Sequence, residues 1–314
     1  MPSGVFAPNR HRHRRIDAGF TALAQGMAMA IAILLLAIAL TAGWWALPAM
    51  QTFGLGFLTS SIWDPTRNVY GVLPMVVGTL ASSAIGLGLA IPVGLGTAIF
   101  LSEAFLPPLL QAALVFLVEM LAAIPSVVYG LWGIFVLIPL IRPIEQWLYD
   151  HFAWVPLFST PPSGPGLLPA GLILAVMVLP IITAISRDSL SALPPDLRQA
   201  GFALGATRWE VLISILIPAA FSGIAGGVIL ALGRALGETM AVTLLIGNAN
   251  RIPGSIFAPA TTLSSLLANQ FAESSGLQVS ALMYAALILF ALTLTVNIAA
   301  ELIFQRVRRR YQGL

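Results

Sequence analysis

Six long apolar stretches divide this chain, and the short segments between them hold most of its charged residues. A helix needs roughly 20 mostly apolar residues to cross the hydrocarbon core of a bilayer. The pattern therefore predicts an all-α membrane protein with six transmembrane helices. The predicted spans are residues 20–47, 74–101, 109–141, 167–185, 218–246 and 279–304.

The third stretch is too long for one straight span, and it contains Pro125 and Pro139. Proline has no backbone N–H and collides with the carbonyl one turn back, so it kinks or breaks a helix. Neighbouring groups must then satisfy the backbone atoms that are freed. We therefore predict a kinked or broken helix in this stretch.

The first stretch follows Arg10, Arg12, Arg14 and Arg15, as the apolar part of a secretory signal peptide would. That part of a signal peptide is only about 7–15 residues long. The first stretch is about twice as long. A retained span is therefore favoured over a cleaved signal.

Composition agrees with a membrane protein: 58% of the 314 residues are hydrophobic, only 9% are charged, and the mean hydropathy is +0.94. Soluble domains carry roughly 25% charged residues. The chain lacks the polar material to cover a surface that faces water.

Missing residue types exclude several functions. All 15 basic residues are arginine, so the chain has no lysine for a Walker A phosphate loop or a Schiff base. It has no cysteine, and its three histidines, His11, His13 and His151, are scattered. No metal site, cofactor or catalytic residue is predicted, and we expect no enzymatic activity in this chain.

Arginine placement predicts the orientation, because cytoplasmic loops of membrane proteins are enriched in Lys and Arg. Eleven arginines lie before the first span, in the 186–217 loop and after the last span, which share one side if there are six spans. The opposite loops hold only Arg67, Arg142 and Arg251. Both termini and the 186–217 loop are therefore predicted to be cytoplasmic. The predicted external segments, expected to be short ordered loops or half-helices, are residues 47–73, 142–166 and 247–278.

The predicted organisation is a basic cytoplasmic tail over residues 1–17, a transmembrane permease domain over 18–305 and a second basic tail over 306–314. The loop at about 186–217 belongs to the central domain.

This loop and the start of the fifth span read LPPDLRQAGFALGATRWEVLISILIPAA from residue 193 to 220. Pro194, Pro195 and Asp196 mark a helix start. The run around Gly205 then breaks the helix, and a second helical stretch leads to Pro218. The pattern predicts a protruding hairpin of two helices, with Gly205 in a tight turn at positive φ. An amphipathic segment lying on the membrane surface is the alternative.

Residue by residue, the segment resembles the EAA loop of binding-protein-dependent ABC permeases. That loop begins Glu-Ala-Ala, has a glycine a few residues later and ends in a hydrophobic residue and proline. Here Gln199 takes the place of the Glu, so Arg198 and Gln199 are expected to contact the ATPase in a different way. The candidate ATPase-coupling residues that the resemblance implies are Arg198, Gln199, Ala200, Gly201, Leu204, Gly205, Ala206 and Pro218.

Further segments resemble the phosphate-specific permeases of the PstC type, and the resemblance extends from the first span to the last. The more specific runs are IPSVVYG at 124–130 and RALGETMA at 234–241. The resemblance implies a type I ABC importer permease in the inner membrane, surrounded by lipid. Its implied partners are a second homologous permease, two copies of an ABC ATPase and a periplasmic phosphate-binding protein. No nucleic acid is implied. The other matching segments are residues 61–80, 91–103, 119–133 and 252–263.

Arg234 and Glu238 lie inside the fifth stretch, and ionisable residues in a span are costly and mark functional sites. Their spacing would place both on one face of a continuous helix. One hypothesis is that Arg234 lines the translocation path and attracts a phosphate oxyanion, tempered by Glu238. The alternative is a structural ion pair, with Glu119 as a further possible partner. Glu119, early in the third stretch, joins them as a candidate path residue.

Three alternative functions remain open. A permease for another oxyanion, such as molybdate, sulfate or phosphonate, would need the same arginine. A secondary transporter would be marked by internal repeats and buried ligands for a coupling ion. An intramembrane enzyme would need a nucleophile and base or a metal cluster. The sequence shows neither the repeats and buried ligands of a secondary transporter nor the nucleophile and base or metal cluster of an enzyme.

Overall fold

The structure is a computed structural model that describes residues 10–103 and 105–312, with side chains described for 19–103 and 105–308. These residues form thirteen α-helices and one two-stranded antiparallel hairpin. The helices are α1 (Arg10–Phe53), α2 (Gly56–Thr59), α3 (Leu73–Ser102), α4 (Pro108–Ala122), α5 (Ser126–Trp132), α6 (Ile138–Phe152), α7 (Leu167–Ser191), α8 (Pro195–Ala203), α9 (Arg208–Val211), α10 (Ile217–Gly237), α11 (Met240–Leu245), α12 (Leu263–Gln270) and α13 (Leu277–Gln312). The strands are β1 (Trp63–Asp64) and β2 (Val69–Tyr70).

Six helical segments in the described residues are long and apolar enough to cross a membrane, which confirms the predicted number. The observed segments are Gly19–Phe53, Leu73–Ser102, Ser126–Phe152, Leu167–Ser191, Arg208–Gly237 and Leu277–Arg308. The third span was predicted over residues 109–141 but lies over Ser126–Phe152, because the break at Pro125 separates α4 and because α6 continues through residues that were predicted to be external. The predicted tails are helical where they are described, since α1 begins at Arg10 and α13 runs to Gln312. Residues 1–9 lie outside the described part of the chain.

The third apolar stretch is broken, as predicted. Helix α4 ends at Ala122, and α5 begins at Ser126, directly after Pro125. Proline favours an extended residue before it and cannot donate a helical hydrogen bond. The Tyr129 hydroxyl donates to the carbonyl of Leu121 at 2.8 Å, which satisfies one of the acceptors at the end of α4. The short apolar helix α4 is therefore separate from the segment Ser126–Phe152.

The fifth stretch was predicted as one continuous helix, and this prediction is wrong. Helix α10 ends at Gly237, Glu238 is extended with φ −67° and ψ 128°, and α11 restarts at Met240. The Ser264 hydroxyl of α12 donates to the Glu238 carbonyl at 2.8 Å. The Thr239 hydroxyl donates to the Gly237 carbonyl at 3.2 Å. The break is stable because hydroxyl groups replace the missing helical hydrogen bonds.

Two π-helical turns precede prolines. Residues 133–137 lead into α6 with Pro139, and residues 212–216 lead into α10 with Pro218. A π turn widens the hydrogen-bond ladder by one residue, which gives the proline ring room within a continuous helical segment. The segment from Arg208 to Gly237 therefore remains one rod of 30 residues.

Helices α3 and α7 pack closely, and α10 packs against both of them. A Cβ on Gly94 would lie 3.0 Å from the Ile182 side chain, and the Thr183 hydroxyl donates to the Gly94 carbonyl at 3.2 Å. A Cβ on Gly227 of α10 would lie 3.1 Å from the side chain of Ile185 of α7. Small residues allow this backbone approach, which supplies the dispersion contacts that hold helices together in lipid.

The segment that links α1 to α3 is ordered around aromatic side chains. Phe57 stacks on Tyr284 of α13 with ring centroids 4.5 Å apart, and Trp63 packs edge-on against Tyr70 at 4.9 Å. Between the strands, Asp64 accepts hydrogen bonds from the Thr66 side chain and backbone, which lower the pKa of that carboxyl group. The expectation of ordered loops and half-helices in the segments predicted to be external is confirmed here and at α12. The strands were not predicted.

Candidate functional site

Arg234 lies in the last turn of α10 with its side chain exposed in this single subunit. It is sixteen residues beyond Pro218, about 24 Å along the helix. Helices α10 and α7 run antiparallel, with Gly223 against Ser189 and Gly227 against Ile185, so Arg234 lies beyond these contacts, level with the first half of α7. No carboxylate among the described residues lies within 4.0 Å of its guanidinium group.

Glu238 does not share a helix face with Arg234, because it is the extended residue that ends α10. The expectation based on i, i+4 spacing is therefore wrong. The Glu238 side chain is half-buried and forms no ion pair within the described residues. Within the described residues of this subunit, no Arg234–Glu238 contact supports the hypothesis of a structural ion pair.

Glu119 has a different partner from the one considered in the sequence. It lies near the end of α4, and its Oε1 atom is 3.5 Å from Nη1 of Arg187 on α7. Arg187 also holds Asp188 at 2.7 Å. Glu119 is 54% exposed, and no contact with Arg234 is present. The structure therefore separates Glu119 from the arginine with which the sequence grouped it.

Hydroxyl groups surround the break between α10 and α11. Tyr129 of α5 is buried and within electrostatic range of Arg234. Thr243 donates to the Thr239 carbonyl at 2.7 Å, and Thr79 of α3 accepts a hydrogen bond from the Leu263 backbone N–H at 3.0 Å. These neighbours were not identified from the sequence, because their contacts join segments far apart in the chain. Thr239 is the one hydroxyl residue that the sequence places beside the break, because it directly follows Glu238.

The region around Arg234 and Glu238 was predicted to line the translocation path, and this role stays a prediction. One fixed positive charge and one carboxylate lie beside hydroxyl groups at a helix break. Among the described residues, no group of three or more His, Asp or Glu side chains could hold a metal ion. The hydroxyl groups of Thr239, Ser264 and Thr243 donate to backbone carbonyls and stabilise the break, so the guanidinium group of Arg234 is the group here that can attract an anion.

The α8–α9 hairpin (residues 195–216) has the predicted form of two short helices around a glycine turn. Gly205 has φ +82°, which confirms the predicted positive φ. A capping box follows: the Thr207 hydroxyl accepts from the Glu210 backbone N–H, and the Glu210 carboxylate accepts from the Thr207 N–H. Gly201 is buried, and a Cβ there would meet the side chains of Val211 and Ile215.

The outer side of this hairpin is apolar and exposed. Leu204 is 89% exposed, Trp209 62% and Phe202 48%. Gln199 and Ala200 are also exposed, whereas Ala206 is half-buried and Pro218 lies in the first turn of α10. Exposed large apolar side chains on a rigid protrusion are typical of an interaction surface.

Arg198 differs from the other candidate residues of the hairpin because it points inward. Its Nη2 atom is 3.0 Å from Oε1 of Glu103, and both side chains are 22% exposed. The same Nη2 atom donates to the carbonyl of Leu190 at 3.2 Å. In this subunit Arg198 therefore contacts groups of its own chain, and its expected contact with the ATPase stays a prediction.

Relatives with curated names cover almost the whole chain. The phosphate transport system permease protein PstC of Pasteurella multocida is 41% identical, over 96% of this chain and 96% of the relative. Proteins of the same name from Mesorhizobium japonicum and Haemophilus influenzae are 45% and 43% identical, each over 87% of this chain and over 85% and 87% of the relative.

A solved structure of the MetNI methionine ABC transporter in an inward-facing conformation has the same fold. It covers 78% of this chain and 99% of its own chain with a TM-score of 0.56, at 16% identity. Residues 90–309 match the family described as binding-protein-dependent transport system inner membrane component. The matched region includes α8, α9 and the break after α10. The chain is a multi-pass membrane protein with the permease fold of ABC transporters, and it belongs to the family of binding-protein-dependent transport system inner membrane components.

Proposed function

We propose that this chain is a permease subunit of an ATP-driven importer that carries inorganic phosphate across the inner membrane. The observation that carries the proposal is its similarity, over nearly the full length, to three curated phosphate permeases. The guanidinium group of Arg234 is exposed in the last turn before a helix break and has no carboxylate within 4.0 Å among the described residues, which supports an anionic substrate.

Arginine suits transient contact with phosphate. Its planar fork matches two phosphate oxygens, and its charge persists without a partner. A path must also release the ion that it binds. Glu238, one turn along the chain, lowers the net positive charge near the break and thereby weakens retention.

Tetrahedral oxyanions such as molybdate, sulfate and phosphonate remain the alternative substrates, because one arginine does not distinguish among them. The names of the relatives favour phosphate. A secondary transporter is not favoured, since the family works with a separate binding protein.

The proposed assembly contains this chain, a second homologous permease, two copies of an ABC ATPase and a periplasmic phosphate-binding protein. The exposed apolar side chains of Phe202, Leu204 and Trp209 supply a surface for the ATPase. The exposed side of α10 at Arg234 supplies one wall of a path between two permeases. The arginine distribution supports cytoplasmic termini, and hydrolysis of ATP takes place in the partner.

Deleting the gene for this chain tests the substrate. We expect cells without it to lose high-affinity uptake of radioactive phosphate at low external phosphate, and a plasmid copy to restore it. Sulfate and molybdate uptake should be unchanged. Loss of sulfate or molybdate uptake with intact phosphate uptake would assign the chain to another oxyanion.

A second prediction concerns Gly205. A Cβ there meets nothing within 4 Å, so substitution changes the backbone preference without a clash. Left-handed backbone costs ordinary L-residues roughly 1–2 kcal/mol, and asparagine tolerates it best. We expect Gly205→Val to reduce uptake and receptor-stimulated ATP hydrolysis strongly at a normal membrane level, and Gly205→Asn to be mild. Equal, normal uptake by both variants would exclude the hairpin turn from coupling.

A third prediction concerns Arg234. If its charge guides the anion, Arg234→Gln should lower uptake per assembled complex by about tenfold, equivalent to about 1.4 kcal/mol. Arg234→Lys should be intermediate, because lysine keeps the charge and loses the fork. Glu238→Gln should be milder. Uptake is measured with complex in the membrane quantified for each variant.

A scaffold role for Arg234 predicts a different pattern. Both Arg234→Gln and Glu238→Gln would then lower the amount of assembled complex in step with uptake. Normal uptake per complex in both variants would remove Arg234 from the proposed path.

A further inference from the structure

The inward contact of Arg198 joins three elements that lie apart in the chain. Its Nη2 and Nε atoms lie 3.0 and 3.3 Å from Oε1 of Glu103, directly after α3. Its Nη2 atom also donates to the carbonyl of Leu190 in the last turn of α7. One side chain of α8 therefore binds the ends of both α3 and α7.

Those two helix ends form a firm base. Helices α3 and α7 are held together by the Gly94–Ile182 approach and the hydrogen bond from Thr183 to the Gly94 carbonyl. Glu103 follows the last residue of α3, and its backbone N–H still donates to the Ile99 carbonyl at 3.1 Å. A force on Glu103 or on the Leu190 carbonyl therefore acts on the helix pair.

The two halves of the hairpin are attached to this base by different means. Val211 of α9, with Leu212 and Leu216 after it, is buried in an apolar cluster with Leu190. The α8 half adds the partly buried Leu197 to this cluster, and its buried Gly201 packs against Val211 and Ile215. Beside Arg198 lies a cavity of about 200 Å³, bordered by Glu103, Phe105, Phe202 and Trp209. Apolar packing thus holds α9 to this base and holds α8 mainly through α9, whereas Arg198 links α8 directly to Glu103 at the edge of the cavity.

We propose that Arg198 is a positioning residue whose contact with Glu103 and the Leu190 carbonyl makes α8 move as one body with α3 and α7. Motion of the ATPase, applied at the exposed tip, then reaches both transmembrane helices. Without the contact, α8 bends into the cavity and part of the motion is lost. The inference rests on the proposed coupling role of the hairpin, and it reassigns Arg198 from the ATPase interface to force transmission within the permease.

The test uses the complete transporter in lipid vesicles with its binding protein. The variants are Glu103→Gln, Arg198→Gln and the exchange Glu103→Arg with Arg198→Glu. Arg306→Gln, an exposed arginine at the end of α13, is the matched control for loss of one charge. For each, three quantities are measured: assembled complex, ATP hydrolysis with binding protein, and oxyanion transported per ATP hydrolysed.

We expect both single variants to assemble normally and to hydrolyse ATP at near the wild-type rate. Transport per ATP should fall about fivefold in each, since either change breaks the same contact. The exchange should recover at least half of this ratio, because it restores the charge pair and loses only the donation to Leu190. The control should match the wild type.

Two outcomes would overturn the proposal. Unchanged transport per ATP in both single variants would show that α8 needs no such contact. If the variants lose assembled complex while transport per ATP hydrolysed is unchanged, the Arg198–Glu103 pair only stabilises the complex. The ratio is measured with whichever oxyanion the wild-type complex carries, so failure of the phosphate assignment is a separate result.

Discussion

Backbone N–H and C=O groups in an apolar environment must find partners within the protein, and this constraint shapes the whole chain. Helices satisfy it internally, which accounts for six long apolar segments. Departures from regular helix occur where another group supplies the hydrogen bond. Tyr129 caps the Leu121 carbonyl before the first break, and Ser264 caps the Glu238 carbonyl at the second. Hydroxyl side chains therefore stabilise both breaks inside the apolar region.

The helical rod that ends at the second break connects the two proposed functional regions. The helical rod from Arg208 to Gly237 has the α8–α9 hairpin at one end and Arg234 in the last turn at the other. Its π turn at 212–216 accommodates Pro218 without interrupting the rod. A displacement of the hairpin therefore acts directly on the helix that carries the charged group. The proposed path and the proposed coupling surface are two ends of one element, and the contact of Arg198 adds α3 and α7 to it.

Local patterns predicted the number of spans, the break at Pro125, the hairpin and the positive φ of Gly205, because each depends on composition or on a residue with restricted backbone geometry. The break at Glu238 could not be predicted in this way. The run GETMAV contains no proline, and its hydrogen-bond donor, Ser264, is 26 residues away in the chain. Arg198 lies 95 residues from its partner Glu103, and Glu119 lies 68 residues from its partner Arg187. Charge alone does not select among distant residues of opposite sign. Sequence reasoning therefore selected candidate residues and missed the contacts that position them.

Water access to the α10–α11 break can be measured in the assembled transporter, because the chain has no native cysteine. Met240, directly after the break, is 49% exposed in this subunit, whereas its neighbour Ala241 is fully buried. A path along Arg234 predicts that Met240→Cys reacts with a charged, water-soluble thiol reagent, that the rate changes with ATP and loaded binding protein, and that Ala241→Cys does not react. An active transporter in which Met240→Cys stays unlabelled in every state would contradict a path at this break.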